Sequence, residues 1–257
     1  MYRNNTMQLL NLKGVNKFFG SVAAVQNFDL EIRKGEIRGL IGPNGAGKST
    51  LFNLVSGFLR PERGKIFLEG HEITGLSPHN IARHGLVRTF QLTSLFNETT
   101  VLENVLMAFH RRYRFGILHQ LMRSRKARSE EKEMEGRATE LLEMMGIGHI
   151  KGETAGDLPL GFQRILGVAI ALAVNPKLLL LDEPAAGLNP KETSEMMQQI
   201  RSVRSQGVTV VLVEHDMKAV MNTCETLTVM DFGKKIAEGP PEEIITHPRV
   251  IEAYLGN

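Results

Sequence analysis

The 257-residue chain has one cysteine, no long hydrophobic run and almost no net charge. Each shortage closes off a class of protein. Cys224 has no second thiol to pair with, so an internal disulfide is excluded, which fits a reducing compartment. The longest apolar run, Ile165 to Val174, is ten residues. A membrane span needs about 18 or more, so this run is expected to be a buried helix. A net charge of +3 leaves no global electrostatic footprint for nucleic acid. Met1 to Met7 contains one arginine and no apolar stretch after it, so no signal peptide is read there. The expectation is a cytoplasmic protein. Its 42% apolar content is enough for one large α/β domain or two modest ones. Docking on a membrane partner stays open.

Turn residues separate short, partly apolar segments at Leu9–Val15, Phe28–Ile32 and Ile66–Leu68, which read as strands. Ile37–Ile41 reads as a strand running into a glycine-rich loop, and Lys48–Phe58 as the helix that follows. About Val101 to Gly146 is helical in character and ends at the Gly146-Ile-Gly148 turn. Within it, Arg111–Arg128 holds seven basic residues and Glu130–Glu135 follows with acids. That pattern suits a solvated helical hairpin, or a docking surface, better than a nucleic-acid patch, since only Tyr113 and Phe115 could stack. After Gly156, helices and short continuous apolar strands alternate. Helix Gln163–Val174 is followed by strand Leu178–Leu181, helix Lys191–Gln206, strand Val208–Val213 and a helix from Met217. Such strands suit a parallel sheet covered on both faces. The end reads as a hairpin, Thr226–Met230 and Lys235–Ala237, and a short helix.

Gly42-Pro43-Asn44-Gly45-Ala46-Gly47-Lys48-Ser49 fits G-x-x-x-x-G-K-[ST], with Thr50 next. In such a loop the glycines let backbone N–H groups converge on phosphate oxygens. Lys48 reaches the β- and γ-phosphates, and the Ser49 hydroxyl can ligate Mg²⁺. The following helix adds its N-terminal dipole. Four fixed positions arise by chance in a chain this long about once in a hundred. The strand before and the helix after are the context the mechanism needs. A second apolar strand ends in Asp182-Glu183. Ligands in such sheets bind at the carboxyl ends of strands. Asp182 can hold Mg²⁺ through water, and Glu183 can polarise an attacking water.

These motifs and the residues between them resemble the ATP-binding-cassette ATPases over about residues 8–257. The resemblance implies an α/β P-loop cassette fold with an antiparallel β subdomain, a mixed or parallel core sheet and an inserted helical subdomain. Residues 8–90 and 160–257 would form the core and β subdomain, and 91–159 the helical one. It implies that Phe19, in Lys17-Phe-Phe-Gly20, stacks on adenine, with Val25 nearby and Phe18 a competitor. Gln91, in Arg88-Thr-Phe-Gln91, matches the glutamine that links Mg²⁺ to the membrane subunit, and His215 matches the switch histidine at the γ-phosphate. Ala186-Gly-Leu-Asn189 matches the loop that communicates across a dimer. The signature segment, which faces the other subunit's ATP, reads Leu158-Pro159-Leu160-Gly161-Phe162-Gln163 in place of the common Leu-Ser-Gly-Gly-Gln. Pro159 offers neither hydroxyl nor N–H, so slower hydrolysis is expected at the composite site that uses it. Proline is tolerable in a first helical turn, and Asp157 is expected to cap the helix.

The tracts Val87–Gln91, Thr100–Asn104, Asp182–Glu192, Glu214–Lys218 and Ala253–Gly256 are similar to the ATPases of branched-chain amino-acid importers, the Liv type. The charged stretch at about 106–137 also looks like that branch. The resemblance implies ATP and Mg²⁺ as ligands. It implies a second ATPase, related or identical, two membrane permeases and a solute-binding protein as partners, and a peripheral place on the inner face of the membrane. Importers of urea or short amides share this wording, and a soluble non-transport ATPase of the same class is a further alternative. Asp231-Phe-Gly233 spells a kinase motif without the rest of the kinase set and is read as spurious.

Overall fold

The computed structural model describes residues 8–89, 95–110 and 125–255. The fold is α/β, in two compact units. The first comprises residues up to Arg88, Lys177–Glu183 and Val203 onward. It begins with a long antiparallel pair, β1 (Gln8–Phe19) and β2 (Val22–Arg33), which continues through β4 (Arg63–Leu68) to β5 (His71–Glu72) in the order β2-β1-β4-β5. Both long strands exceed the segments the sequence suggests. Lys13, Asn16 and Lys17 break the apolar run of β1, but antiparallel pairing with β2 carries the strand past them, with register shifts along the way. An antiparallel strand with one wet face tolerates such residues.

The second sheet has the order β10 (Lys234–Gly239), β9 (Thr226–Asp231), β3 (Ile37–Ile41), β8 (Thr209–Val213), β7 (Leu178–Asp182), β6 (Leu86–Thr89). Its centre is β3 (Ile37–Ile41), parallel to both β8 (Thr209–Val213) and β9 (Thr226–Asp231). β7 (Leu178–Asp182) is parallel to β8, and β10 (Lys234–Gly239) closes the far edge antiparallel to β9. All five positions of β3, β7 and β8 are buried, as expected for strands covered on both faces. Arg38 is the charged exception in β3. It is held by Glu36 at 3.0 Å, Glu238 at 2.7 Å and the Thr228 hydroxyl at 3.1 Å. A buried cation needs such partners. Helix α1 (Lys48–Val55) packs Leu51, Phe52, Leu54 and Val55 into one apolar cluster with residues of both sheets, among them Leu12, Phe28, Leu180 and Val213. Among the small elements that the sequence pattern does not announce are α2 (Pro78–Arg83) and the edge strand β6 (Leu86–Thr89). Four residues with Arg at the third position give too little periodicity to announce a strand.

The second unit comprises 89–176 and 184–202 and is helical. α3 (Val101–His110) starts with a capping box. The Thr100 hydroxyl accepts from the Glu103 amide at 3.2 Å, and the Glu103 carboxylate accepts from the Thr100 amide at 2.8 Å. α4 (Arg125–Met144) and α5 (Leu160–Ala173) pack with it over buried Val101, Val105, Ala138, Leu142, Leu166 and Ala169. The ten-residue apolar run is thus the buried helix expected. α6 (Pro190–Ser205) is capped by Asn189, whose Oδ1 accepts from the Lys191 and Glu192 amides at 3.0 Å. In the charged tract, residues 111–124 lie outside the described residues. The chain ends, in the first unit, with α7 (Met217–Thr223), α8 (Pro241–Ile244) and α9 (Pro248–Leu255). Among the described residues no helix is long and apolar enough to cross a membrane.

Candidate functional site

Every residue of this cleft belongs to the first unit. Strand β3 ends at Ile41, and Gly42 to Gly47 turn the chain into α1. Two of the glycines are dictated by space. A Cβ at Gly42 would lie 2.1 Å from the Met230 carbonyl oxygen, and one at Gly47 would lie 2.3 Å from that of Ala24. Both also have positive φ, 153° and 104°. The loop is thus wedged between β2 and the end of β9. Lys48 is buried, and its ammonium donates to the carbonyls of Gly42 at 2.6 Å and Pro43 at 2.9 Å. Burial lowers its pKa, while the carboxylates of Glu183 and Asp182 pull it back up.

Asp182 is the last residue of β7 and is buried at 8% exposure. Glu183 follows with φ +49°, its amide donating to the Val213 carbonyl at 2.9 Å. A non-glycine residue in the left-handed region costs about 1–2 kcal/mol, and such strain clusters at functional sites. The twist brings Glu183 Oε1 to 2.7 Å from Nε2 of His215, just past β8. The His215 amide donates to the Glu214 carboxylate at 3.1 Å, and Asp216 caps α7 by accepting from the Ala219 amide at 3.1 Å. The cleft bounded by these groups has a volume of about 480 Å³, within the range of small-molecule sites. Asn44, Lys48, Ser49, Thr50, Glu183 and His215 line its polar end, and Val22, Ala23, Ala24 and Phe232 also line it. A second groove of about 510 Å³, lined by Asn16, Phe18, Asp29 and Lys234 among others, has no phosphate loop and no strand-end acid.

A fold of this shape around a glycine-rich loop has direct relatives. The family model described as "ABC transporter" matches residues 25–186. The chain belongs to the ABC transporter family. It is an ATP-binding, ATP-hydrolysing cassette. A model described as "Branched-chain amino acid ATP-binding cassette transporter" matches residues 234–257 of the cassette. The chain is similar to the high-affinity branched-chain amino acid transport ATP-binding protein LivG of Salmonella typhimurium. The two are 44% identical over 249 residues, which is 96% of this chain and 98% of LivG. A crystal structure of the ADP conformation of an ATP-binding cassette of an ABC transporter superposes with a TM-score of 0.84 at 32% identity. It covers 98% of this chain and 100% of that one. A dimeric cassette in a post-hydrolysis state, bound to ADP and Pi, superposes with a TM-score of 0.74 at 27% identity, covering 91% and 99%.

Phe19 and Val25 are not among the residues that line this cleft. Val25 is fully buried in the apolar cluster, and its neighbours Val22, Ala23 and Ala24 line the cleft instead. Phe19 is half exposed but does not line the cleft; the Lys17 ammonium sits 5.5 Å from its ring centre. Phe232, in the Asp231-Phe-Gly233 turn, is an aromatic residue that does line it. That turn is fastened to the loop. The Gly233 amide donates to the Ala46 carbonyl at 2.9 Å, and the Gln26 side chain donates to the Phe232 carbonyl at 2.9 Å. Tyr254, on the terminal helix, also reaches the loop. Burial raises the pKa of its phenol, and the nearby Gly42 amide pulls it down.

Gln91 lies outside the described residues. In the second unit, α5 starts at Leu160, earlier than Gln163, with Pro159 as its N-cap and Gly161 buried. Asp157 makes no cap: it sits in a short 3₁₀ turn, Ala155–Asp157, and the N-cap receives no side-chain bond. Gln163 instead turns back, its amide donating to the Leu158 carbonyl at 2.8 Å.

Proposed function

We propose that this cassette hydrolyses MgATP to drive uptake of branched-chain amino acids through partner permeases. The convergence of Lys48, Ser49, Glu183 and His215, two strand ends and one loop, on one cleft, with Asp182 next to Glu183 and its charge acting on Lys48, carries the hydrolytic reading. Lys48 exchanges its loop carbonyls for β- and γ-phosphate oxygens. Thr50 and the loop amides from Asn44 to Gly47 bind the rest of the triphosphate. The Val22–Ala24 stretch and Phe232 border the remainder of the nucleotide.

Among the described residues no three His, Cys, Asp or Glu side chains form a metal cage. Mg²⁺ takes one or two protein oxygens and fills its shell with phosphate oxygens and water. The hard oxygen donors here are the Ser49 hydroxyl and the Asp182 carboxylate, the latter through water, with Gln91 as a further ligand. Bound Mg²⁺ supplies charge neutralisation as the bond to the leaving phosphate breaks. Glu183 orients a water and accepts its proton as the water oxygen attacks the γ-phosphorus. The bond from that phosphorus to the bridging oxygen breaks, leaving ADP and phosphate. His215 holds Glu183 in place and donates to the γ-phosphate.

The second half of the site comes from another cassette. Leu158 to Gln163 of one chain meets the γ-phosphate held by the other, with the α5 N-terminus offering its first-turn amides. Two such cassettes, identical or related, close head to tail on the inner face of the membrane against two permeases, and a solute-binding protein delivers the cargo. The match of residues 234–257 and the likeness to LivG over nearly the whole chain support the branched-chain assignment. The test is solute uptake by the reconstituted complex. Leucine, isoleucine and valine should be taken up on ATP hydrolysis; uptake of urea alone would overturn the assignment.

A further inference from the structure

Arg88 carries a charge at 7% side-chain exposure, near the end of an edge strand too short to be read from the sequence. Its Nη2 donates to Oδ2 of Asp182 at 2.7 Å. Its Nη1 donates to Oδ1 of Asn53 at 2.7 Å and to the Ser56 hydroxyl at 3.2 Å, and the guanidinium lies 5.5 Å from the centre of the Phe52 ring. Phe52 and Asn53 belong to α1, and Ser56 is its C-cap. That helix carries Lys48 and Ser49 at its other end. The guanidinium therefore ties the carboxylate at the end of β7 to the helix that follows the phosphate loop.

We propose that Arg88 is a positioning residue for the Mg²⁺ carboxylate: pinned by α1, it holds Asp182 in the orientation in which the acid serves the metal. This rests on the reading of Asp182 as a Mg²⁺ group. The chemistry favours it. A buried carboxylate must be paired, and a planar guanidinium fixes its partner's geometry in a way a lysine ammonium does not. The contact engages one carboxylate oxygen, Oδ2, so the acid is not consumed by a two-oxygen clamp. Partners that orient a metal ligand typically set affinity by about 10–100-fold.

A strut with no role toward the metal would lower stability alone. The full chain separates the two roles through equilibrium binding of a non-hydrolysable ATP analogue, with excess Mg²⁺ and then with EDTA. The ratio of the two affinities is the Mg²⁺ enhancement. In Arg88→Gln the enhancement should fall by about tenfold or more while the affinity in EDTA holds. Arg88→Lys restores the charge but not the fork and should recover only part. Asn53→Ala keeps Arg88 and loosens its anchor. It should shift the enhancement in the same direction by less, and it carries the test if Arg88→Gln does not fold. An unchanged enhancement in folded variants overturns the proposal, and so does a larger one, which would make Arg88 a competitor of the metal. Asp182→Asn is the control. If it too leaves the enhancement intact, the Mg²⁺ reading of Asp182 fails; if it abolishes it and the Arg88 variants do not, only the role of Arg88 fails.

Discussion

Gly47→Ala and Gly45→Ala make a pair that isolates how the phosphate loop is held. Both residues sit at positive φ, 104° and 79°. An alanine at either position meets a backbone penalty of about 1–2 kcal/mol. Only Gly47 adds a collision. Its Cβ would stand 2.3 Å from the Ala24 carbonyl oxygen, whereas a Cβ at Gly45 meets nothing within 4 Å. Contacts under 3.0 Å are not tolerated, so in Gly47→Ala the loop or β2 must move by at least 0.7 Å, the gap between 2.3 and 3.0 Å. Gly47 is also the N-cap of α1, so the shift is passed to Lys48 and Ser49. A misplacement near 1 Å costs about 10²-fold in rate. Steady-state ATPase measurements on the assembled complex should show kcat down by roughly that factor in Gly47→Ala. Gly45→Ala should show mainly a lower Tm and a modest rise in KM. Equal kcat losses in the two variants would refute the steric argument and leave only backbone strain.

Glu183→Gln should keep ATP binding and trap a closed dimer, with hydrolysis reduced by about 10²–10⁴-fold, the range for loss of a general base; wild-type turnover would sink the assignment. Pro159→Ser adds a hydroxyl at the N-cap of α5. If that hydroxyl reaches the partner's γ-phosphate, turnover in the assembled complex should rise by up to about tenfold, equivalent to one charge-assisted hydrogen bond of about 1.5 kcal/mol. No change in rate would count against the reduced donor set. Cys224 is buried and its pKa is pushed up to about 12, first by burial and then by Glu225, with Arg38 opposing. At pH 8 the thiol is therefore protonated, and thiol reagents should label the folded chain on the order of 10²–10³-fold more slowly than the denatured chain. Rapid labelling of the folded chain would show that the burial is not maintained.

The phosphate loop was legible in the chain because its chemistry is local. Glycine, lysine and serine at fixed spacing do their work within eight residues, and the flanking strand and helix announce themselves. The buried strands β7 and β8 were equally plain as continuous apolar runs, and both candidate catalytic side chains sit at or just past their ends. What the chain did not announce depends on pairing and direction. Val25 and Val22 are both valines in one strand, and only the packing of β2 sends the first into the core and leaves the second at the cleft. Phe232 lies 183 residues beyond Ser49 in sequence, yet its turn is bonded to the loop through Gly233 and Ala46. Arg88 belongs to a four-residue strand that exists because β7 offers it an edge, and its charge has meaning only beside Asp182, 94 positions away. Local spacing names the groups that can touch phosphate. Which carboxylate is braced, which ring lines the cleft and which glycine has no room for a methyl group follow from long-range contacts, because burial and hydrogen bonding are properties of neighbours in space.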